Sequence, residues 1–315
     1  MTDKKTIAVI GATGAQGGGL VRAILADPAG PFTVRAITRS AGTERARRLA
    51  EAGAEVVEAD LADEASLRKA FDGAHGAYVV TNFWESGSAK VELAQMAVAA
   101  AAAKDADVHH VIWSTLEDTR GYLPVGSDRY PSLEGYTVPH FDAKAEGDAL
   151  FEQLGVPTTL LRTTFYWESF AQGLAPTRGE DGRLVLTLAI GERRLAGIAA
   201  EDIGRTALGI FARGEEYIGR TVSIAGEHLT GEQLAQAFAD AFGEPVDYRP
   251  LTHDQLRALP IPAAAEIGNM FQFYYEAEKD FVGARDLDVV RSLNPNLQTF
   301  RGWLDAHKEQ LRPAA

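Results

Sequence analysis

Short runs rich in apolar residues alternate with amphipathic segments through the first half of the chain. The runs lie at 7–10, 34–38, 56–59, 78–81, 108–113 and 158–162. Segments with apolar residues at helical spacing lie between them, at 16–27, 43–52, 64–71, 88–104 and 141–154. Buried strands without polar alternation, separated by helices, are typical of a parallel sheet that is covered on both faces. Because crossovers between parallel strands are right-handed, the pattern predicts a doubly wound α/β sheet.

This alternation stops near residue 165. The following segment is typical of a loop and a hairpin, and the rest predicts one strand at 221–226 and helices at 201–213, 230–242, 252–258 and in the C-terminal tail. We therefore divide the chain into residues 1–165, which hold the doubly wound sheet, and residues 166–315, a smaller C-terminal α/β lobe. We expect the two parts to be partly interleaved, because no Pro/Gly/Ser-rich linker separates them.

The first apolar run leads directly into the glycine-rich stretch GATGAQGG, in which Gly11, Gly14 and Gly17 recur every third residue. In a Rossmann fold such glycines allow a tight turn, a close approach to a pyrophosphate and close packing of the helix on the strand. Thr13 and Gln16 belong to the same turn and are expected to contact the cofactor. The helix N-terminus that follows favours the phosphates. The alternative is a glycine-rich turn in an α/β fold that binds no nucleotide.

The end of the second apolar run indicates which dinucleotide binds. NAD sites usually carry Asp or Glu about 20 residues past the glycines, whereas this run ends in TRS, with Arg39 and no acid. A guanidinium fits a 2′-phosphate and stacks on adenine, so we expect NADP(H); the alternative is a solvated surface arginine. Asp60 closes the third run, Leu61 follows it, and both are expected to contact the cofactor. Asp60 is expected to contact the adenine amino group, to cap the helix at 64–71, or to do both.

Residues after the fourth run are expected to lie along the cofactor. Thr81 and Asn82 come first, and the aromatic Phe83 follows them. Further aromatic residues after the fourth and sixth runs are Trp84, Phe165, Tyr166 and Trp167. Because open α/β sheets bind ligands at the carboxyl ends of their strands, these rings are candidates for a pocket over the nicotinamide. The alternative for each of them is a place in the core between the two lobes.

Composition limits the partners of the chain. The net charge of −13 argues against a nucleic-acid surface, and no basic patch is available for an anionic membrane. The absence of cysteine excludes disulfides, zinc–thiolate sites and thiol nucleophiles. We expect no metal, because His140 and Asp142 lack further ligands at metal-site spacing. With no signal peptide and no apolar run long enough to span a bilayer, a cytoplasmic protein is expected.

Several stretches resemble the NmrA-like branch of the atypical short-chain dehydrogenase/reductases, namely GATGAQGG, GAEVVEADLAD, VTNFWE, WSTLED, HFDAKAE, GVPTTLLRTTFYWE and NMFQFYYE. Within this family the chain is most similar to the HSCARG group of NmrA-like redox sensors. The resemblance implies an NADP(H)-binding Rossmann domain over 1–165 and a smaller C-terminal lobe over 166–315. Members of the family include a negative transcriptional regulator, NADPH sensors, and reductases that act on quinones or phenylpropanoids.

The stretch HFDAK departs from the motif that short-chain dehydrogenases use. These enzymes typically carry Tyr-x-x-x-Lys, in which the lysine binds the ribose and lowers the pKa of the tyrosine. Here His140 stands in the tyrosine position and Lys144 is retained. The resemblance implies that Lys144 binds the ribose and that Ser114 occupies the usual serine position of the family, so Lys144, His140 and Ser114 are the candidate catalytic residues. The alternatives are a solvated helix lysine for Lys144 and a cap of the following turn for Ser114. His140 is either a proton carrier or a loop residue at the start of a helix.

Two functions follow from the resemblance and this departure. The first is an NADPH-responsive redox sensor or regulator with weak or no dehydrogenase activity, which would act on a protein partner. Without cysteine, such a sensor would report redox state only through its cofactor. The second is an NADPH-dependent reductase of a planar small molecule such as a quinone or enone. The long segment 115–139, which lacks clear periodicity, is expected to respond to the cofactor.

Overall fold

The computed structural model describes residues 4–313. The strands are β1 (Lys5–Val9), β2 (Phe32–Thr38), β3 (Glu55–Glu58), β4 (Gly76–Val79), β5 (His110–Thr115), β6 (Thr158–Arg162), β7 (Phe165–Tyr166), β8 (Thr177–Arg178), β9 (Leu184–Leu186), β10 (Arg194–Ile198), β11 (Thr221–Ser223), β12 (Glu227–Thr230) and β13 (Val246–Tyr248). The helices are α1 (Ala15–Leu25), α2 (Glu44–Glu51), α3 (Glu64–Phe71), α4 (Phe83–Ser86), α5 (Ala89–Asp105), α6 (Pro139–Gln153), α7 (Ala200–Arg213), α8 (Gly231–Phe242), α9 (His253–Arg257), α10 (Ala264–Glu276), α11 (Glu278–Gly283), α12 (Leu287–Leu293) and α13 (Phe300–Leu311).

The main sheet contains seven parallel strands in the order β11-β6-β5-β4-β1-β2-β3. The predicted doubly wound parallel sheet is thus confirmed. The strand order reverses between β1 and β4, which is where open α/β sheets bind ligands. Val9 pairs with Ala36 of β2 on one side and with Tyr78 of β4 on the other. The turn that follows β1 therefore lies in the crevice at this switch point.

Helices cover both faces of the main sheet, as buried strands without polar alternation require. On one face, α1 and α7 bury Leu20 and Ile203 against the strands. On the other face, α3, α5 and α6 bury Phe71, Met96 and Phe151. Each of these five side chains is fully buried, so the two faces carry separate apolar cores.

Two elements from the second half of the chain belong to these layers. Strand β11 pairs with β6 at the edge of the main sheet, and α7 lies against α1. Residues on both sides of position 165 therefore build one α/β unit. The division into 1–165 and 166–315 stays a prediction.

The remaining elements of the second half surround an aromatic core. They include two three-stranded sheets, β12-β10-β7 and β13-β9-β8. The buried rings of this core include Phe165, Trp167, Phe170, Phe238, Phe271, Phe300 and Trp303. Phe165 and Trp167 were candidates for a pocket over the nicotinamide, and here they fill the core of the lobe instead.

The structure differs from the sequence predictions at several elements. Strand β5 begins two residues later than the apolar run at 108–113, because the buried Val108 belongs to the preceding turn. Three consecutive helices, α10, α11 and α12, had no counterpart among the predicted elements. Within residues 4–313, no helix is both long enough and apolar enough to cross a membrane.

Candidate dinucleotide site

The glycine-rich turn connects β1 to α1 in a conformation that most residues avoid. Gly11 has a φ of +67°, in the left-handed region that favours glycine. The main-chain N–H of Gly14 donates to the carbonyl of Gly11 at 2.8 Å and closes a tight turn. Gly14 is also the N-cap of α1, and it has no side chain to cover the helix end. The first turn of α1 carries no acidic residue, so its free N–H groups can attract an anion.

Gly17 brings α1 directly against this turn. A Cβ atom at position 17 would lie 2.5 Å from the carbonyl oxygen of Gly11 and 2.8 Å from that of Ile10. Both distances are below van der Waals contact, so any side chain would push the helix away from the strand. Close packing of the helix on the strand is the role that the third glycine has in a dinucleotide-binding turn, so Gly17 fits this kind of site.

An open cleft of about 720 Å³ extends from the turn along the carboxyl ends of the strands. This volume lies within the ~300–1,000 Å³ that is typical of ligand clefts. The predicted cofactor residues that line the cleft are Gly11, Thr13, Gly14, Gln16, Gly17, Arg39, Asp60, Leu61, Thr81 and Asn82. Phe83 and Lys144 were also predicted to contact the cofactor, but both are buried and are not among the residues that line the cleft.

Arg39 lines the cleft and is held by an acid from α4. Its Nη1 and Nη2 donate to the two carboxylate oxygens of Glu85 at 2.9 and 3.1 Å. Both side chains are exposed, by 66% and 47%, so the ion pair is accessible to solvent and to a ligand. Arg45 also lines the cleft. Two guanidinium groups in the cleft suit a phosphate.

Asp60 lies in the cleft but does not cap α3. Its Oδ1 accepts the N–H of Ala62 at 2.8 Å, which closes a local turn. The N-cap of α3 is Asp63, whose side chain accepts the N–H of Ser66. Capping of this helix by Asp60 is therefore wrong, whereas its contact with adenine stays a prediction.

Ser114 lies in a network of hydrogen bonds beneath the cleft. Its Oγ donates to Gln16 Oε1 at 2.7 Å, and the Tyr78 hydroxyl donates to the same oxygen at 2.7 Å. Gln16 Nε2 in turn donates to the Tyr166 hydroxyl at 2.7 Å. Burial raises the pKa of Tyr166 to about 12 and also raises that of Tyr78, so both phenols stay protonated at neutral pH. Gln16 and Tyr166 line the cleft and connect Ser114 to it.

Lys144 is buried next to the cleft and is fully engaged. Its Nζ lies 2.9 Å from Glu92 Oε1, and it donates to Thr81 Oγ1 at 2.7 Å and to the Thr81 carbonyl at 3.2 Å. The ammonium also lies 4.9 Å from the centre of the Trp113 ring, within cation–π range. Because Thr81 lines the cleft, Lys144 reaches the cleft through this residue. Its ribose contact stays a prediction.

His140 forms a pair with an acid from the second half of the chain. Its Nδ1 lies 2.6 Å from Glu266 Oε1, and its main-chain N–H donates to the same oxygen at 3.0 Å. The imidazole is surrounded by the rings of Phe83, Trp84 and Phe141. The Glu266 carboxylate therefore occupies Nδ1 of His140, which leaves the ring nitrogen Nε2 for another hydrogen-bond partner.

The three predicted catalytic residues do not form one group. Within the described part of the chain, no hydrogen bond joins Ser114, His140 and Lys144 to one another. Their catalytic roles stay predictions. Residues of the cleft that the sequence analysis did not single out include Thr43, Arg45, Glu85, Gln95 and Gln172. Arg45 follows TRS closely in the sequence, and this proximity is a signal that could have identified it.

A doubly wound parallel sheet with a glycine-rich turn at its switch point defines the class of Rossmann-like, dinucleotide-binding folds. The sequence model of the NmrA-like family matches residues 3–304 of this chain. The chain therefore belongs to the NmrA-like family, and the resemblance seen in the sequence is confirmed.

Curated relatives of the chain carry the same family description. The NmrA-like family domain-containing oxidoreductase FrzB of Cladobotryum sp is 30% identical over 293 residues, which cover 85% of this chain and 83% of that protein. The NmrA-like family domain-containing oxidoreductase malD of Malbranchea aurantiaca is 30% identical over 261 residues, which cover 78% of this chain and 76% of that protein.

Solved structures share the fold. The negative transcriptional regulator NmrA in complex with NADP superposes with a TM-score of 0.76 at 24% identity, and the match covers 96% of this chain and 95% of that chain. The NADPH-dependent quinone oxidoreductase of Escherichia coli in complex with NADPH gives 0.73 at 24% identity, with 96% and 99% covered. At these identities the likeness concerns the fold.

Proposed function

We propose that this protein binds NADP(H) in the cleft. The observation that carries the proposal is the presence of the glycine-rich turn, the open end of α1 and the Arg39 side chain along one cleft. The solved NmrA and Escherichia coli quinone oxidoreductase structures contain NADP and NADPH, which supports the proposal. The residues of the turn would hold the pyrophosphate, and Arg39 with Arg45 would hold the 2′-phosphate. When bound, the cofactor would supply a hydride from its nicotinamide.

The proposed role is that of an NADPH-responsive regulator with weak or no dehydrogenase activity. Each candidate catalytic group is already engaged: Ser114 with Gln16, Lys144 with Glu92, and His140 with Glu266. No tyrosine stands at position 140 to donate a proton. A regulator needs two conformations that bind the cofactor differently, and a partner protein that distinguishes between them.

The segment 115–139 is suited to such a change. It connects β5 to α6, and it is tied to the helices of the second half by hydrogen bonds. Tyr122 donates to Asp280 of α11 at 2.7 Å, and Asn269 of α10 donates to the carbonyl of Pro131 at 2.9 Å. A shift at the end of β5 would therefore be transmitted to α10 and α11.

A reductase of a quinone- or enone-like molecule is the second candidate. It is supported by the His140–Glu266 pair, which places an imidazole held by a carboxylate next to aromatic rings. The curated relatives are also named oxidoreductases. In such a reaction the bound cofactor would supply a hydride to the acceptor and would itself be oxidised, and His140 could donate the proton that completes the reduction.

Two measurements on the same protein distinguish the candidates. Oxidation of NADPH is followed with 1,4-naphthoquinone and with 2-cyclohexenone, and hydrogen exchange is followed with and without NADPH. If the protein is a regulator, hydrogen exchange in 115–139 should slow when NADPH binds. Turnover should then stay far below the typical enzyme rate of about 10 s⁻¹. Turnover of about 10 s⁻¹, with hydrogen exchange in 115–139 unchanged by NADPH, would instead support the reductase. Arg39→Asp is the control, which should weaken whichever response to NADPH the unmutated protein shows.

A further inference from the structure

The only acid that holds the Arg39 guanidinium within the described residues is Glu85, and both residues line the cleft. Both carboxylate oxygens are used, so the contact is bidentate, which is the arrangement that arginine also makes with phosphate. A 2′-phosphate and the Glu85 carboxylate are therefore ligands of the same kind for the same group.

This ion pair bridges two segments that border the cleft. Arg39 follows β2 and Glu85 belongs to α4, which follows β4. In the sheet, β2 and β4 lie on either side of β1. The pair therefore reaches across the end of β1, near the glycine-rich turn, and joins the two segments that border the cleft. The exposed pair of Glu44 with Arg48, by contrast, lies within a single helix.

We propose that Glu85 is a specificity-determining residue, which competes with the 2′-phosphate of the cofactor for Arg39. This inference rests on the proposed binding of NADP(H). A bound 2′-phosphate would place its negative charge beside the Glu85 carboxylate, so it must displace this side chain from Arg39 or be repelled by it. NADH lacks the phosphate and meets no such penalty. Glu85 therefore reduces the preference for NADPH that Arg39 alone would give.

The isosteric substitution Glu85→Gln tests the competition for Arg39. Glu85→Gln keeps the shape of the side chain but removes its charge, which frees Arg39 to bind the phosphate. NADPH should bind at least threefold more tightly to this variant, whereas the affinity for NADH should change by less than twofold. Glu85→Gln should likewise bind adenosine 2′,5′-bisphosphate at least threefold more tightly and change the affinity for ADP by less than twofold. These fragments test the adenosine half of the cofactor alone.

The experiment is calorimetry of all four ligands at one ionic strength, with the unmutated protein, Glu85→Gln and Glu44→Gln. Glu44→Gln removes an exposed acid that also pairs with an arginine but does not line the cleft, and it should leave every affinity unchanged. Equal or weaker NADPH binding by Glu85→Gln would overturn the inference while leaving the proposed function intact. If the unmutated protein bound neither NADPH nor NADH, the proposed function itself would be wrong, and the inference would fail with it.

Discussion

Among single residues, Gly17 places the strongest steric requirement on the turn. A Cβ at this position would lie 2.5 Å from a backbone oxygen, and backbone atoms cannot yield as a flexible side chain can. Gly17→Ala should therefore lower the free energy of unfolding by about 1–3 kcal/mol, the usual cost of overpacking, as measured by urea denaturation.

Gly18 provides the matched control for this substitution. A Cβ there would meet the end of the flexible Arg22 side chain at 3.1 Å and one backbone oxygen at 3.2 Å. Alanine also favours a helix over glycine by ~1 kcal/mol, so Gly18→Ala should be close to neutral. Equal stability of Gly17→Ala and Gly18→Ala would contradict the close contact between α1 and the turn.

Lys144 has a structural role that its position in HFDAK does not reveal. Its partner Glu92 is 1% exposed, and Glu92 Oε2 has no hydrogen-bond partner within the described residues. Lys144→Met would leave this carboxylate buried without a counter-charge, which typically costs about 3–5 kcal/mol. Adding Glu92→Leu should recover much of the loss, because apolar replacement of a buried ion pair is often neutral. Urea denaturation of both variants tests this, and a double variant no more stable than Lys144→Met would refute it.

His110 makes the stability depend on pH. Burial, with a smaller contribution from the nearby His75, lowers the pKa of His110 to about 4, whereas an unfolded histidine has a pKa of about 6.5. Between these values only the unfolded chain takes up the proton, so His110 destabilises the fold increasingly as the pH falls from about 6.5 towards about 4. The free energy of unfolding of the unmutated protein should therefore fall relative to that of His110→Gln over this range. A difference that does not vary with pH would contradict the assignment.

Among the elements, the contact between α1 and α7 connects the two halves of the chain. A Cβ at Gly204 would lie 2.1 Å from the main-chain nitrogen of Leu20, and one at Gly19 would lie 2.6 Å from the carbonyl oxygen of Glu201. The helices therefore touch backbone to backbone where they cross. This contact explains why α7 lies in the main α/β unit although it follows residue 165.

Gly204→Ala should force these helices apart. We expect the free energy of unfolding to fall by about 1–3 kcal/mol. The whole chain should still unfold in one transition, because the two halves share the sheet and this contact. Gly283→Ala is the control, since a Cβ at this helical position meets no atom within 4 Å. Calorimetric unfolding that shows two separate transitions in Gly204→Ala, with only one of them shifted, would contradict the shared unit.

The elements that could be predicted are those with local signals. Six strands of the main sheet are short apolar runs, and the helices between them have apolar residues at helical spacing. Helix α10 lacks such a signal at its start: its N-cap is Ala263, in a left-handed conformation with no capping side chain. The strand β11 was expected in the smaller lobe, but it joins the main sheet because it pairs with β6. This long-range pairing cannot be predicted from its three residues alone.

The same distinction holds for the candidate site. The glycine-rich turn and Arg39 are identified by spacing alone, because their geometry is local. Glu85 and Glu266 were missed, since they meet Arg39 and His140 across sequence separations of 46 and 126 residues. Only the fold brings these acids to their partners.

For the molecule as a whole, cofactor binding brings a polyanion to a protein with a net charge of −13. The long-range field therefore opposes binding, and affinity must come from local positive groups. Those that line the cleft are the N-terminus of α1 and the side chains of Arg39 and Arg45. This balance makes Arg39 the residue on which cofactor choice should depend most strongly.

The most direct test of this account is the calorimetric affinity of the unmutated protein and of Arg39→Asp for NADPH and NADH. The unmutated protein should bind NADPH at least tenfold more tightly than NADH, a difference of about 1.4 kcal/mol. In Arg39→Asp this preference should disappear, because the substitution removes the cation and adds an anion beside the 2′-phosphate. Equal affinities of the unmutated protein for the two cofactors would show that Arg39 does not bind the 2′-phosphate.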